Sequence, residues 1–370
     1  MAGSENNKKI AGGVEYHVAD QSYFEKRQLK RYAGAWSLWA LGVGAVISGD
    51  FSGWNLGVGQ AGFGGFLIAL SHFSWDALWN IQPESGHSRW LPRGWGGVGA
   101  ALPFAIWLYL AIEQLPLAAE ESTDISRDMP RGLIWGLATL VVTGLLVTFL
   151  NMGIGQGAAY FGSQTEEPLL DGFKLTVGVS NAKLLGFIAV AGLIASFHAI
   201  IYAFGRNIYS LSRAGYFPHW LSITHQQRRT PYVALIAGSV VGYLILLALY
   251  FIDPMGSGAF GGVILNMAVF GAVIAYVMQM ASFIVLRKRY PTIERPYMSP
   301  FGNMGAAISL VIAAVTLVWL FQNPDFRPGV IGVAIWFLCG LLYFGLYGRR
   351  TLVYSPEEEF AIRQSEPTRT

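Results

Sequence analysis

Long apolar runs separated by short polar stretches dominate this chain. Eight of them are long enough to read as membrane spans: Trp36–Leu70, Gly97–Ala119, Gly132–Gly153, Leu184–Phe204, Pro231–Phe251, Gly262–Leu286, Gly305–Phe321 and Pro328–Tyr347. A helix needs about 20 apolar residues to cross the hydrocarbon core. The first run is interrupted at its centre by Ser48-Gly49-Asp50-Phe51-Ser52-Gly53-Trp54-Asn55. Unwound backbone at membrane depth survives only where protein encloses it around a cavity. A carboxylate at that depth marks a functional site. The first span is therefore predicted to be discontinuous, with a solute site at its break.

Composition agrees with the pattern. Of 370 residues, 53% are hydrophobic and 13% charged, against about 25% charged in a typical soluble domain. The class is an all-α polytopic membrane protein. The single Cys339 excludes an internal disulfide, and the spacing of His, Cys, Asp and Glu offers no metal cluster. No cofactor motif appears. The clustered glycines from Gly42 to Gly65 lie in a span rather than a βαβ unit, so they read as packing contacts. The first 35 residues are polar, so no cleavable leader is read there.

Charge distribution fixes an orientation. With a cytoplasmic N-terminus, the outer side receives only Arg89, Arg93, Lys174, Lys183 and Arg327, and the inner side the remaining 20 of 25 Lys and Arg. The positive-inside rule then predicts both termini in the cytoplasm. Trp75, Trp79, Trp90 and Trp95 fit an aromatic belt at the outer surface. A short helix is expected in the outer loop between Glu166 and Lys183, and Tyr354–Thr370 reads as a mobile tail. The expected layout is a cytoplasmic segment over 1–35, a membrane domain over 36–347 and a cytoplasmic tail over 348–370. Within the membrane domain, the first helix is broken over 36–70 and a second broken span covers 97–119.

Three constellations carry candidate chemistry. At the first break, Asp50 and the backbone of Ile47, Ser48 and Gly49 would hold an ammonium group, and amides near Gly53 an oxygen. In the second span, Pro103 favours a kink or break. Trp107 and Tyr109 could gate the cavity or stack on a cation, and Glu113 is a second intramembrane carboxylate. Glu120 and Glu121 are expected in solvent. In the fourth, His198 and Tyr202 share a helix face, and a histidine there would suit coupling or gating. Asn266 and Gln279 read as ordinary interhelical polar contacts. The basic loops adjoin the membrane, so nucleic acid is not an expected partner. No nucleophile–base pair or metal set suggests an enzyme.

These residues resemble amino acid–polyamine–organocation (APC) transporters. The resemblance lies in the broken first span, Ile112-Glu113, the loop from Glu120 to Arg131, Arg206 through Pro218, and Arg295-Pro296-Tyr297. The wording Ile47 to Asn55, with Pro103–Pro116 and Ser196–Tyr202, is most similar to bacterial ethanolamine permeases. The resemblance implies a LeuT-like 5+5 inverted repeat of twelve helices, the first and sixth discontinuous. It also implies alternating-access transport of a small-molecule amine, ethanolamine first, across the bacterial inner membrane. The chain departs from that pattern. After Leu70 it passes directly toward the sixth-helix equivalent, so the implied fold is truncated, about 8 of 12 helices, with family helices two to five missing. An amino acid permease or exchanger is the alternative, and a structural remnant that does not transport is the third reading. The expected partners are that substrate, the lipid bilayer and, with a cavity wall missing, a second copy of the chain.

Overall fold

The computed structural model describes residues 8–11, 14–51, 72–161, 168–252, 259–293, 295, 297–322 and 327–354. The fold is mostly helical. In chain order the elements are β1 (Lys8–Ala11), β2 (Val14–His17), α1 (Gln21–Glu25), α2 (Ala35–Phe51), α3 (Trp75–Leu78) and α4 (Gly94–Tyr109). A 3-10 helix follows over Ile112–Glu121, then α5 (Ile125–Met152), α6 (Gly157–Phe161), α7 (Pro168–Val177) and α8 (Val179–Arg213). After a 3-10 turn at His219–Ser222 come α9 (Tyr232–Ile252), α10 (Ala259–Arg289), α11 (Gly302–Gln322), α12 (Arg327–Leu346) and β3 (Leu352–Val353).

Helix lies in each predicted span as far as it is described, the first being described only to Phe51. Among the described residues four helices are long and apolar enough to cross a membrane: Ile125–Met152, Met267–Arg289, Gly302–Gln322 and Arg327–Arg350. Shorter apolar helices cover Ala35–Val46 and Tyr232–Ala248. The short outer-loop helix is α7. A small sheet corrects the all-α expectation. β1 and β2 form an antiparallel pair, and β3 joins β2 in parallel. Two-residue β3 is too short for alternating polarity to reveal it.

The chain forms two compact units, one of Met1–Tyr32, Ile201–Ala259 and Gly332–Thr370, the other of Ala33–Ile200 and Phe260–Ile331. In the second, α2 packs along α5 and the 3-10 helix. Small residues permit the approach. A Cβ added at Gly132 would sit 2.9 Å from Leu38 Cβ, and one at Gly42 2.8 Å from Ile112 Cδ1. Helices embedded in lipid gain from such van der Waals contact, since burial of apolar surface gives little driving force there. Leu38, Leu115 and Leu140 fill the seam and are at most 2% exposed. At its start α5 is capped by Asp124, whose Oδ1 accepts from the Arg127 N–H at 3.2 Å.

In the first unit the sheet lies beside the end of α8. Gly215 has φ +87°, and a Cβ there would fall 2.1 Å from the Thr351 carbonyl oxygen. The β3 segment is held by Val353 N–H to Ala214 O (3.0 Å) and Thr351 Oγ1 to Gly215 O (2.9 Å). Part of the polar N-terminal segment is thus folded, as β1 and β2.

Candidate functional site

The clearest discontinuity lies in the second span. α4 continues through Pro103, stops at Tyr109, and turns at Leu110–Ala111 before the 3-10 helix begins. Ala111 holds φ +90°, ψ −8°, a left-handed conformation uncommon for a residue with a Cβ. The break expected near Pro103 therefore falls several residues later. Beyond it the chain winds as a ten-residue 3-10 helix with Pro116 inside. Runs of this kind beyond three or four residues are uncommon and often mark a hinge.

Glu113 closes the turn on itself. Its Oε2 accepts the Ala111 N–H at 2.9 Å, satisfying a donor that the interrupted helix leaves without its usual carbonyl. The carboxyl also bonds the hydroxyl of Tyr276 on α10. Ala111 is 7% exposed and packs with Ala45 of α2, Ala199 of α8 and the half-buried Leu41. The Ser196 hydroxyl donates to the Ala45 carbonyl at 3.4 Å. Ala111 at the break thus packs on α2 and α8 through a cluster of alanines. Tyr109, the last residue of α4, lies where its hydroxyl would be 3.2 Å from a Cβ at Gly144.

The first predicted break differs from expectation in its start. Ile47, Ser48, Gly49 and Asp50 are all helical and form the end of α2, which runs to Phe51. Unwinding does not begin at Ser48. Gly53 and the rest of the break lie outside the described residues. Ile47 to Asp50 follow directly on Ala45, which belongs to the alanine cluster at the second break.

His198 is not brought into this cluster. His198 is exposed, and its Nδ1 lies 2.7 Å from the Ile194 carbonyl one turn back. Ser196 and Ala199 take the buried register instead. Tyr202 is half-buried, with the Arg206 guanidinium 3.4 Å from its ring centroid. Glu121, expected in solvent, is 2% exposed. The 3-10 winding explains it: three residues per turn place Leu115, Ala118 and Glu121 on one line, and all three are buried. Tyr276 was not singled out by sequence, since an isolated tyrosine in a span reads as packing. Its one signal is a hydroxyl at mid-span, which needs a partner when buried.

The left-handed turn yields a prediction. Ala111→Gly preserves or raises thermal stability, because glycine adopts positive φ without steric cost. Ala111→Val lowers it by about 2 kcal/mol or more, from a β-branched residue at positive φ and over-packing against Ala45 and Ala199. Fluorescence-detected unfolding of the detergent-solubilised variants checks both, and equal melting of the two would show that the turn is not under this constraint.

The amino acid permease family matches residues 30–346. An uncharacterized transporter of Rhizobium meliloti is 29% identical over 62% of this chain and 48% of its own length. A branched-chain amino acid permease of Bacillus subtilis is 26% identical over 77% of this chain and 57% of its own length. A methylthioribose transporter of the same organism is 24% identical over 73% and 54%. The chain spans about half the length of the curated relatives it matches.

Proposed function

The chain belongs to the amino acid permease family, a multi-pass membrane class, and on that premise we propose that it is a secondary transporter of a small amine, ethanolamine first, working by alternating access in the bacterial inner membrane. The observation that carries the transport reading is the interrupted second span. A left-handed turn at Ala111, closed by Glu113 and packed on α2 and α8, supplies the discontinuous helix on which midplane solute sites are built.

The amine reading rests on Asp50 at the end of α2. Ethanolamine brings a cation and no carboxylate, so a protein carboxylate balances it. The backbone of Ile47, Ser48 and Gly49, amides near Gly53, and Trp107 and Tyr109 complete the proposed site. Glu113 is the proposed coupling or gating carboxyl, through its bonds to Ala111 and Tyr276, with His198 and Tyr202 as further gating candidates. The charge bias supports a cytoplasmic position for both termini.

A second reading is an amino acid substrate. It is favoured by relatives named as a branched-chain amino acid permease and a probable GABA permease, the latter from Pseudomonas aeruginosa and 26% identical over 68% of this chain. The span of about half the relatives' length is the observation behind a third reading, in which family helices two to five are missing and this chain does not transport alone.

Uptake of labelled ethanolamine into proteoliposomes of the 370-residue chain, under an inside-negative potential, separates these. Saturable uptake, insensitive to excess amino acids, is the expected result. Competition by zwitterionic amino acids but not by ethanolamine selects the second reading. Absence of uptake by folded, correctly oriented protein selects the third.

A further inference from the structure

A cavity of about 540 Å³ lies away from the break, between the starts of α2 and α5. Its walls are Ala35, Trp36, Trp39, Arg131, Trp135 and Thr139. The walls are fixed by contacts of their own. The Trp39 indole N–H donates to Thr139 Oγ1 at 3.1 Å, and Thr139 donates to the Trp135 carbonyl at 2.8 Å. Trp36 sits edge-on to Trp39 with ring centroids 5.9 Å apart. Trp36 and Trp135 remain 81% and 66% exposed.

Arg131 is the charged wall. It makes no hydrogen bond or ion pair to another described residue. The two acids before it, at the cap and in the first turn of α5, are otherwise engaged: Asp124 caps the helix, and Asp128 accepts from Thr123 Oγ1 at 3.1 Å. Arg131 also stands at a boundary. Before it α5 reads Ile125-Ser-Arg-Asp-Met-Pro, and after it the helix carries no charge to Leu150. The cavity therefore lies at the depth where headgroups meet acyl chains, on the side that the charge bias assigns to the cytoplasm. Tryptophan favours that depth, and guanidinium binds phosphate through a planar fork.

We propose that this cavity holds the headgroup of an anionic phospholipid, with Arg131 on its phosphate and Trp36 and Trp135 flanking the glycerol and first acyl carbons. The occupant is a lipid rather than free phosphate because three indoles offer apolar surface that a bare anion cannot use.

The test is native mass spectrometry of the full chain released from bilayers of phosphatidylglycerol and phosphatidylcholine. The chain is expected to retain phosphatidylglycerol selectively. Arg131→Gln should weaken that retention about fivefold without changing phosphatidylcholine, and Trp135→Leu, an exposed substitution that keeps the charge, should shorten the residence of both lipids. Unchanged phosphatidylglycerol retention in Arg131→Gln overturns the proposal. So does an equal loss of both lipids in that variant, or displacement of the lipid by millimolar inorganic phosphate.

Discussion

Asp50→Asn is expected to abolish ethanolamine binding and uptake while leaving the helix intact. Asparagine matches aspartate in size and differs little in helix propensity, so α2 should still reach Phe51. The amide cannot balance an ammonium charge. Removing one partner of a buried charge pair costs about 2–5 kcal/mol, a loss of roughly thirtyfold to several thousandfold in affinity. The membrane potential cannot restore it. It adds about 2.3 kcal/mol per charge per 100 mV to net entry, and acts on occupied transporter only. Equilibrium binding of labelled ethanolamine by the detergent-solubilised variant reads the effect without needing transport. Binding as tight as the parent's would remove Asp50 from the site. Under the amino acid reading the same change has a small effect, because a zwitterion carries its own carboxylate.

Four spans were legible because apolar length alone sets them. The packing of α2 on α5 was partly legible too, through glycines such as Gly42 and Gly132 that mark close helix approach. The breaks were less so. Pro103 drew the expected kink toward itself, yet a proline can lie within a helix when its neighbours adjust. The observed turn is at Ala111, an ordinary helix former with no sequence signal for positive φ. Glu121 looked solvated because two adjacent glutamates at a span's end usually are. Its burial follows from the three-residue period of a 3-10 helix, which no local pattern announced. His198 and Ser196 illustrate a register problem: both lie in an apolar run, and only the position of Ala45 decides that Ser196 faces inward.

The N-terminal clasp was hidden by distance, since Arg27 meets residues nearly 200 positions away, and it supports the second large effect. Arg27 is 9% exposed. Its Nε donates to Ser222 Oγ at 2.8 Å, Nη1 to the Tyr23 carbonyl at 3.0 Å and Nη2 to the His219 carbonyl at 3.1 Å. The guanidinium also lies 3.7 Å from the Tyr23 ring centroid, and the buried Tyr209 hydroxyl donates to the Arg27 carbonyl. Arg27→Ala removes three charge-assisted bonds and strands the Tyr23 carbonyl, while the His219 carbonyl keeps the Ser222 hydroxyl at 2.8 Å, at a cost of about 2–4 kcal/mol. Lysine should not rescue it, since one ammonium cannot reach three diverging partners. The expected readout is faster proteolysis between β2 and α2 with a lower melting temperature. Unchanged proteolysis would show that the sheet alone holds the segment.

The same cluster should be acid-sensitive. Burial, then the nearby Arg27 charge, hold His219 below its ordinary 6.5, with the backbone bond to Ser212 opposing them. The unfolded chain then binds more protons between that lowered value and 6.5, so stability rises with pH there. The contribution is complete above 6.5 and is lost as pH falls below it. His219→Gln should flatten this dependence, and Arg27→Ala should weaken it, because the variant no longer places a positive charge beside the imidazole. A melting temperature equally pH-dependent in parent and His219→Gln would assign the acid response to another group.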